Sequence, residues 1–174
     1  MRTIITSILL FLSCTVGING QIADRTQTTI PESEVPEAVF MNQQELFPDG
    51  FITEWQLQRD FDMADSDAVR YIAKFTEASN PGFSASYLPT GELIFYSQFM
   101  QAVELPETIQ LRTRSDFGDF QIDSANFITV FNPKREIYRI RLRDNNRLKH
   151  AYYTINAAPI AEESLPLELR LFDE

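Results

Sequence analysis

The spacing of apolar residues along this chain changes in a regular way. Between Pro36 and Leu46 they recur at helical intervals, through Val39, Phe40 and Leu46, and Pro48-Asp49-Gly50 ends the run. This predicts a helix over 36–46. Beyond it the period falls to two. Segment 51–59 reads as a strand around Trp55 and Leu57, and in 69–77 Val69, Tyr71, Ala73 and Phe75 alternate with Arg70, Lys74 and Thr76. Segment 83–88 leads into Pro89-Thr90-Gly91, a hairpin loop that pairs Tyr87 with Leu93 and Ala85 with Phe95, and the returning strand runs to about Val103.

The pattern then returns. Val35-Pro36-Glu37-Ala38-Val39 recurs as Leu105-Pro106-Glu107-Thr108-Ile109, an offset of 70, and Tyr71-x-Ala73-x-Phe75 recurs as Tyr138-x-Ile140-x-Leu142. The second copy predicts a helix over 106–115, weakly apolar because Arg112, Thr113 and Arg114 dominate it, and strands over 120–131, 136–143 and 147–155. The expected fold class is α+β: two tandem helix-plus-antiparallel-sheet repeats, 35–104 and 105–156, with helices packed on one face of the sheets. The tail 157–174 carries alternating Leu165, Leu167, Leu169 and Leu171, which suggests an added edge strand.

The first residues carry an address. Arg2 precedes an apolar run from Ile4 to Leu12, shorter than the roughly 20 residues of a membrane span, and small residues follow at Ser13, Gly17 and Gly20. This is the layout of a signal peptide over 1–20, with 21–34 as a flexible leader. A second route fits Phe11-Leu12-Ser13-Cys14, an imperfect lipobox that would lipidate Cys14 and tie the protein to a membrane. Both routes export the chain, to the periplasm or beyond, and a monomer is expected.

Charge narrows the partners. The formal net charge is −10, which disfavours nucleic acid. Its distribution is uneven: residues 21–104 hold 4 basic and 14 acidic side chains, 105–156 hold 9 and 6, and 157–174 hold 1 and 5. With one His and one Cys, there is little material for a zinc site or a His-based triad. No phosphate-binding glycine loop is present, and no catalytic residue, metal ligand or cofactor is assigned. Asp60, Asp62, Asp65 and Asp67 crowd one predicted loop, but an EF-hand starting at Asp60 would place Asp65 and Tyr71 where Gly and Glu are required. Calcium or small-ligand binding is therefore the alternative reading, not the leading one. His150, predicted beside Ile140, reads as a partly buried structural residue.

The hairpin of the second copy offers an interaction surface. With Asp144-Asn145-Asn146 as its loop, Leu142 faces Leu148, Ile140 faces His150 and Tyr138 faces Tyr152. Arg139, Arg141, Arg143, Arg147, Lys149 and Tyr153 then share the other face. Arg and exposed Tyr are favoured at protein interfaces, so Arg139, Arg141, Arg143, Lys149 and Tyr153 are the expected partner-binding residues.

Taken together, Val35-Pro36-x-Ala38-Val39, Phe47-Pro48, Trp55, Tyr71-x-Ala73-x-Phe75, Ala85-x-Tyr87-x-x-x-Gly91-Glu92-Leu93, Leu105-Pro106 and Tyr138-x-Ile140-x-Leu142 give a resemblance to exported bacterial PepSY-like domains, the β-lactamase-inhibitor-like proteins. The resemblance spans about 35–156. It implies paired helix-plus-sheet units and a non-catalytic role, binding or inhibiting an exported or envelope protein through an exposed sheet surface. The sequence departs from the pattern in its weakly apolar second helix and in having no counterpart of Trp55 in the second copy.

Overall fold

A computed structural model describes residues 27–59, 69–78, 80–131, 133–166 and 169. The export signal, the start of the leader and the Asp60–Asp67 cluster lie outside the described residues. The strands are β1 (Gln27–Ile30), β2 (Gly50–Arg59), β3 (Val69–Glu77), β4 (Asn80–Tyr87), β5 (Leu93–Gln101), β6 (Gln121–Phe131), β7 (Lys134–Asp144), β8 (Arg147–Thr154) and β9 (Pro159–Ile160). Helix α1 (Glu37–Leu46) lies between β1 and β2, and α2 (Glu107–Asp116) between β5 and β6.

The strands form one sheet in chain order, each antiparallel to the next. This corrects the expected two tandem helix-plus-sheet repeats. The junction between the supposed units is itself a strand pair, Phe95–Gln101 against Ser124–Val130. Periodicity reports which residues alternate; it carries no information about which strand lies alongside, and here the second helix arches over a sheet that continues beneath it. The leader also contributes: Gln27–Ile30 pairs with Trp55–Gln58 and buries Ile30.

Both helices lie on one face, where Ala73, Ala85, Tyr96 and Thr129 are successive cross-strand neighbours. Val39 of α1 packs with Trp55, Ala73, Ala85 and Tyr87, and Ile109 of α2 with Ala125, Ile140, Leu142 and Tyr153. One turn later on the same side each helix buries a polar residue, Gln43 and Thr113. Gln43 Oε1 accepts a hydrogen bond from the Tyr87 hydroxyl at 2.7 Å, while the Tyr153 hydroxyl donates to Asp116 at 3.2 Å. The β4–β5 turn is fitted beneath α1. Gly91 has φ of +90°, its carbonyl accepts from Asn42 Nδ2 at 2.6 Å, and a Cβ there would lie 2.7 Å from the Ala38 carbonyl oxygen. This hairpin contains a bulge, so Tyr87 faces Leu93 but Phe95 faces Ser86, on the other side from the expected Ala85 partner.

The tail departs from the alternating edge strand that its leucines suggested. Among its described residues only Pro159–Ile160 pairs with β8, and the chain then turns so that Leu165 and Leu169 pack against Phe95, Ile128, Val130, Ile137 and Tyr152. By strand alternation this second core lies on the face opposite the helices.

Burial raises the phenols of Tyr87, Tyr96, Tyr138 and Tyr153 above the ordinary value of 10.0, and all four point to the helix-bearing face. A group that holds its proton more tightly when folded costs nothing below its unfolded pKa and destabilises as pH rises beyond it. Stability should therefore be level up to about pH 10 and fall above it. The tyrosinate absorbance of these four at 295 nm should appear together with the unfolding transition; their full ionisation while the circular dichroism remains native would contradict this burial.

Candidate functional site

The face opposite the helices is built from cross-strand rows. Lys74, Ser84, Ser97, Ile128 and Ile137 form one; Phe99, Asn126, Arg139 and Tyr152 form the next; Ser124, Arg141 and His150 follow, then Arg143 with Leu148. The rows progress from buried and mixed to open and cationic.

At the buried end stands Arg70, only 6% exposed. A buried guanidinium requires acceptors, because removing it from water costs several kcal/mol, on the order of the penalty for an unpaired ion. Gln58 Oε1 accepts from its Nε at 2.7 Å and also from Nη2, Ser86 Oγ lies 3.3 Å from Nη1, and the cation sits 5.3 Å from the Phe95 ring centroid. Arg70, Lys74, Ser97, Arg139, Tyr152 and Leu169 border a cavity of about 120 Å³ there.

At the open end a shallow groove of about 520 Å³ is bounded by Phe99, Asn126, Arg139, Arg141, Leu148 and His150. Phe99 is 45% and Leu148 57% exposed. Arg139 Nη2 donates to Asn126 Oδ1 at 3.3 Å, while Asp123 receives the Nε groups of Arg141 and Arg143, each at 3.3 Å. Asp123 sits at the β6 bulge, between Ile122 and Ser124, which supplies the carboxylate to this end of the arginine row.

The structure divides the five residues expected to form one surface. Arg139, Arg141 and Arg143 do share this face. Lys149 and Tyr153 do not: they pair with Leu142 and Tyr138 on the helix-bearing face. Tyr153 is 1% exposed, and the Lys149 ammonium lies 4.7 Å from the Phe117 ring centroid. Arg147, which pairs with Asp144, stacks its guanidinium 5.1 Å from the Phe120 centroid.

The cause is the turn. The loop has two residues, Asn145-Asn146, with Asn145 at φ of +46°. Arg147 Nε bonds Asp144 Oδ2 at 3.1 Å and draws that pair into the ladder. One residue fewer in the loop moves every β8 side chain to the other face. The same slip brings His150 opposite Arg141 instead of the expected Ile140, where it is half-buried, and places Tyr152 opposite Arg139.

Pattern reading missed Phe99, Leu148, Arg70 and Gln58. The Asn-Asn turn with opposite charges on either side was the available signal for Leu148. Arg70 could be located only once the tail was seen to cover its face. Among the described residues, no group of three His, Cys, Asp or Glu side chains is arranged to hold a metal ion.

Replacing Gln58 with Leu leaves Arg70 buried with the loss of charge-assisted bonds worth about 2–3 kcal/mol. The urea midpoint should fall with an unchanged slope, and Gln58→Glu, which keeps the acceptor, should lose much less.

By sequence, no protein-family model and no curated relative matches the chain. Solved structures do. A DUF2874 family protein from Bacteroides ovatus superposes with a TM-score of 0.58 at 13% identity, over 72% of this chain and 84% of that one. A candidate periplasmic protein from Bacteroides eggerthii gives 0.58 at 14%, covering 73% and 86%. A BLIP-like protein from Bacteroides fragilis gives 0.57 at 11%, covering 71% and 82%. At such identities the likeness is one of fold: this chain has the fold of the BLIP-like and DUF2874 structures.

Proposed function

We propose that the protein is an exported, non-catalytic protein-binding module, of the PepSY-like and β-lactamase-inhibitor-like kind, that docks an exported or envelope partner on the face opposite its helices. The observation that carries this reading is the groove in which Arg139 and Arg141 stand beside the exposed Phe99 and Leu148. Arginine with exposed apolar anchors on strands is the composition of an interface centre. The strands hold these side chains in place before a partner arrives, which lowers the ordering cost of association. Its cations favour an acidic partner surface.

Export is supported by the apolar run Ile4–Leu12 and by fold neighbours that include a candidate periplasmic protein. The protein would act sterically, by covering its partner's surface, so no bond need be made or broken.

The double variant Arg139→Glu/Arg141→Glu tests the face. Captured envelope protein, quantified by mass spectrometry, should fall about tenfold. The melting temperature should move by no more than about 3 °C, as for surface substitutions. A charge-matched control on other surfaces, Arg114→Glu/Lys134→Glu, should retain capture. Equal capture by all three proteins would exclude this face as the docking surface.

A further inference from the structure

The start of each helix is made the same way. A short 3₁₀ turn precedes Val35-Pro36 and Leu105-Pro106, and the amides of Val39 and Ile109 return to the proline carbonyls, each at 3.0 Å. The tail does this a third time. A 3₁₀ turn, Glu162–Ser164, precedes Leu165-Pro166, and the Leu169 amide bonds the Pro166 carbonyl at 3.0 Å. The apolar pairs Val35/Val39, Leu105/Ile109 and Leu165/Leu169 are buried in all three places.

Two of these pairs cover the helix-bearing face. The third covers the opposite face, seated on Phe95, Ile128, Val130, Ile137 and Tyr152. It differs also in what holds it. Among the described residues it is joined to the sheet through two ladder pairs, Tyr152 with Ile160 and Tyr153 with Pro159. Its composition is opposite in charge to its seat: residues 157–174 include five acidic residues and one Arg, whereas Arg70, Lys74 and Arg139 border the cavity that Leu169 also lines.

We propose that the tail segment paired at Pro159–Ile160 and seated by Leu165 and Leu169 is a releasable occupant of this face, filling the seat that an acidic peptide with a Leu-Pro-x-x-Leu start would take from a partner. The partner half of this statement rests on the function proposed above; the occupancy does not. Such a partner competes with a segment of the protein itself, so its apparent affinity is reduced by the fraction of molecules whose seat is filled. The surface is thereby kept from exposing a contiguous apolar patch in the unbound protein.

The probe is a fluorescein-labelled synthetic peptide of residues 159–174, and the opened protein is the full chain carrying Leu165→Asp/Leu169→Asp. Anisotropy should show the peptide binding the opened protein at least about tenfold more tightly than the unaltered chain. That binding should weaken with added salt, since the seat is cationic. A peptide carrying the same two Asp substitutions should not bind. No binding to an opened protein that still melts cooperatively, or equal binding to both proteins, overturns the proposal.

Hydrogen exchange on the unaltered chain gives a second reading that needs no variant. The Leu165 and Leu169 amides, although hydrogen-bonded, should exchange about a hundredfold faster than those of Ile137 and Ile140, as expected for local opening. Equal protection overturns releasability. Neither measurement uses a foreign partner, so their failure is distinct from a failure of the arginine variants to lose capture.

Discussion

The pairing of β5 with β6 is the constraint from which the rest of the architecture follows. Seven consecutive residues of each strand meet there, Phe95–Gln101 against Ser124–Val130, so the strands on either side of α2 belong to one ladder. A sheet continuous through that point has two faces and only two edges, and each face must be covered or hydrated along its whole width. The helices cover one face at two places because each precedes the strands it packs on. Nothing in that arrangement covers the other face. That face is instead divided between a polar network around Arg70, a patch seated by the tail, and an open cationic groove.

Neither helix is strongly amphipathic, and the inward side of each shows why this suffices. Val39 with Gln43, and Ile109 with Thr113, present one apolar and one polar residue to the sheet. The sheet answers with small residues beneath, Ala73 and Ala85 under α1 and Ala125 and Ala151 near α2, and with a tyrosine beside each. Close approach to alanines substitutes for a broad apolar stripe, because packing against a preformed surface stabilises a helix more than its own propensity does. The tyrosines bury a large ring while placing a hydroxyl at the helix's polar position. Their ionisation then becomes coupled to folding, since the phenolate could not be accommodated there.

Much of this was legible from pattern alone, and the failures share a cause. Alternation at Val69–Phe75 and helical spacing at Val39–Leu46 mark elements that are local, and the observed bounds of α1 and β3 lie within a residue or so of those readings. Strand neighbourhood and register are not local. The expected register of the second hairpin was chosen to match apolar with apolar, Leu142 with Leu148, whereas the turn chemistry of Asn145-Asn146 and the Asp144–Arg147 pair selects Leu142 with Lys149. An apolar-matching argument has no force once Lys149 can lay its charge against Phe117, since its aliphatic stem is then as well placed as a leucine. The exposed Leu148 is the complementary loss, and it falls in the groove that the proposed function uses. The candidate surface was thus half legible: its arginines follow from β7 alone, its apolar anchors depend on the register of β8 and on Phe99 of β5.

The tail shows how a repeat can be overlooked when its length differs. Leu165-Pro166 reproduces Leu105-Pro106 at an offset of 60 instead of 70, and the alternating leucines around it invite a strand reading. Proline decides against that reading, since it cannot donate to a ladder and sets the backbone for a helix start, as Pro36 and Pro106 do. The same segment manages an edge. Among the described residues, β9 reaches only Tyr152 and Tyr153 of β8, leaving Arg147–Ala151 without a ladder partner on that side, and it brings Pro159 into the ladder opposite Tyr153. A proline, a short edge strand and charged Arg147 and Lys149 are all devices that discourage pairing with another chain's strand. Under the function proposed above, an edge blunted in this way directs a partner to the face that exposes Phe99 and Leu148. Specificity would then rest on side chains projecting from the sheet, whose rows can be told apart, and not on backbone groups, which any extended segment would satisfy.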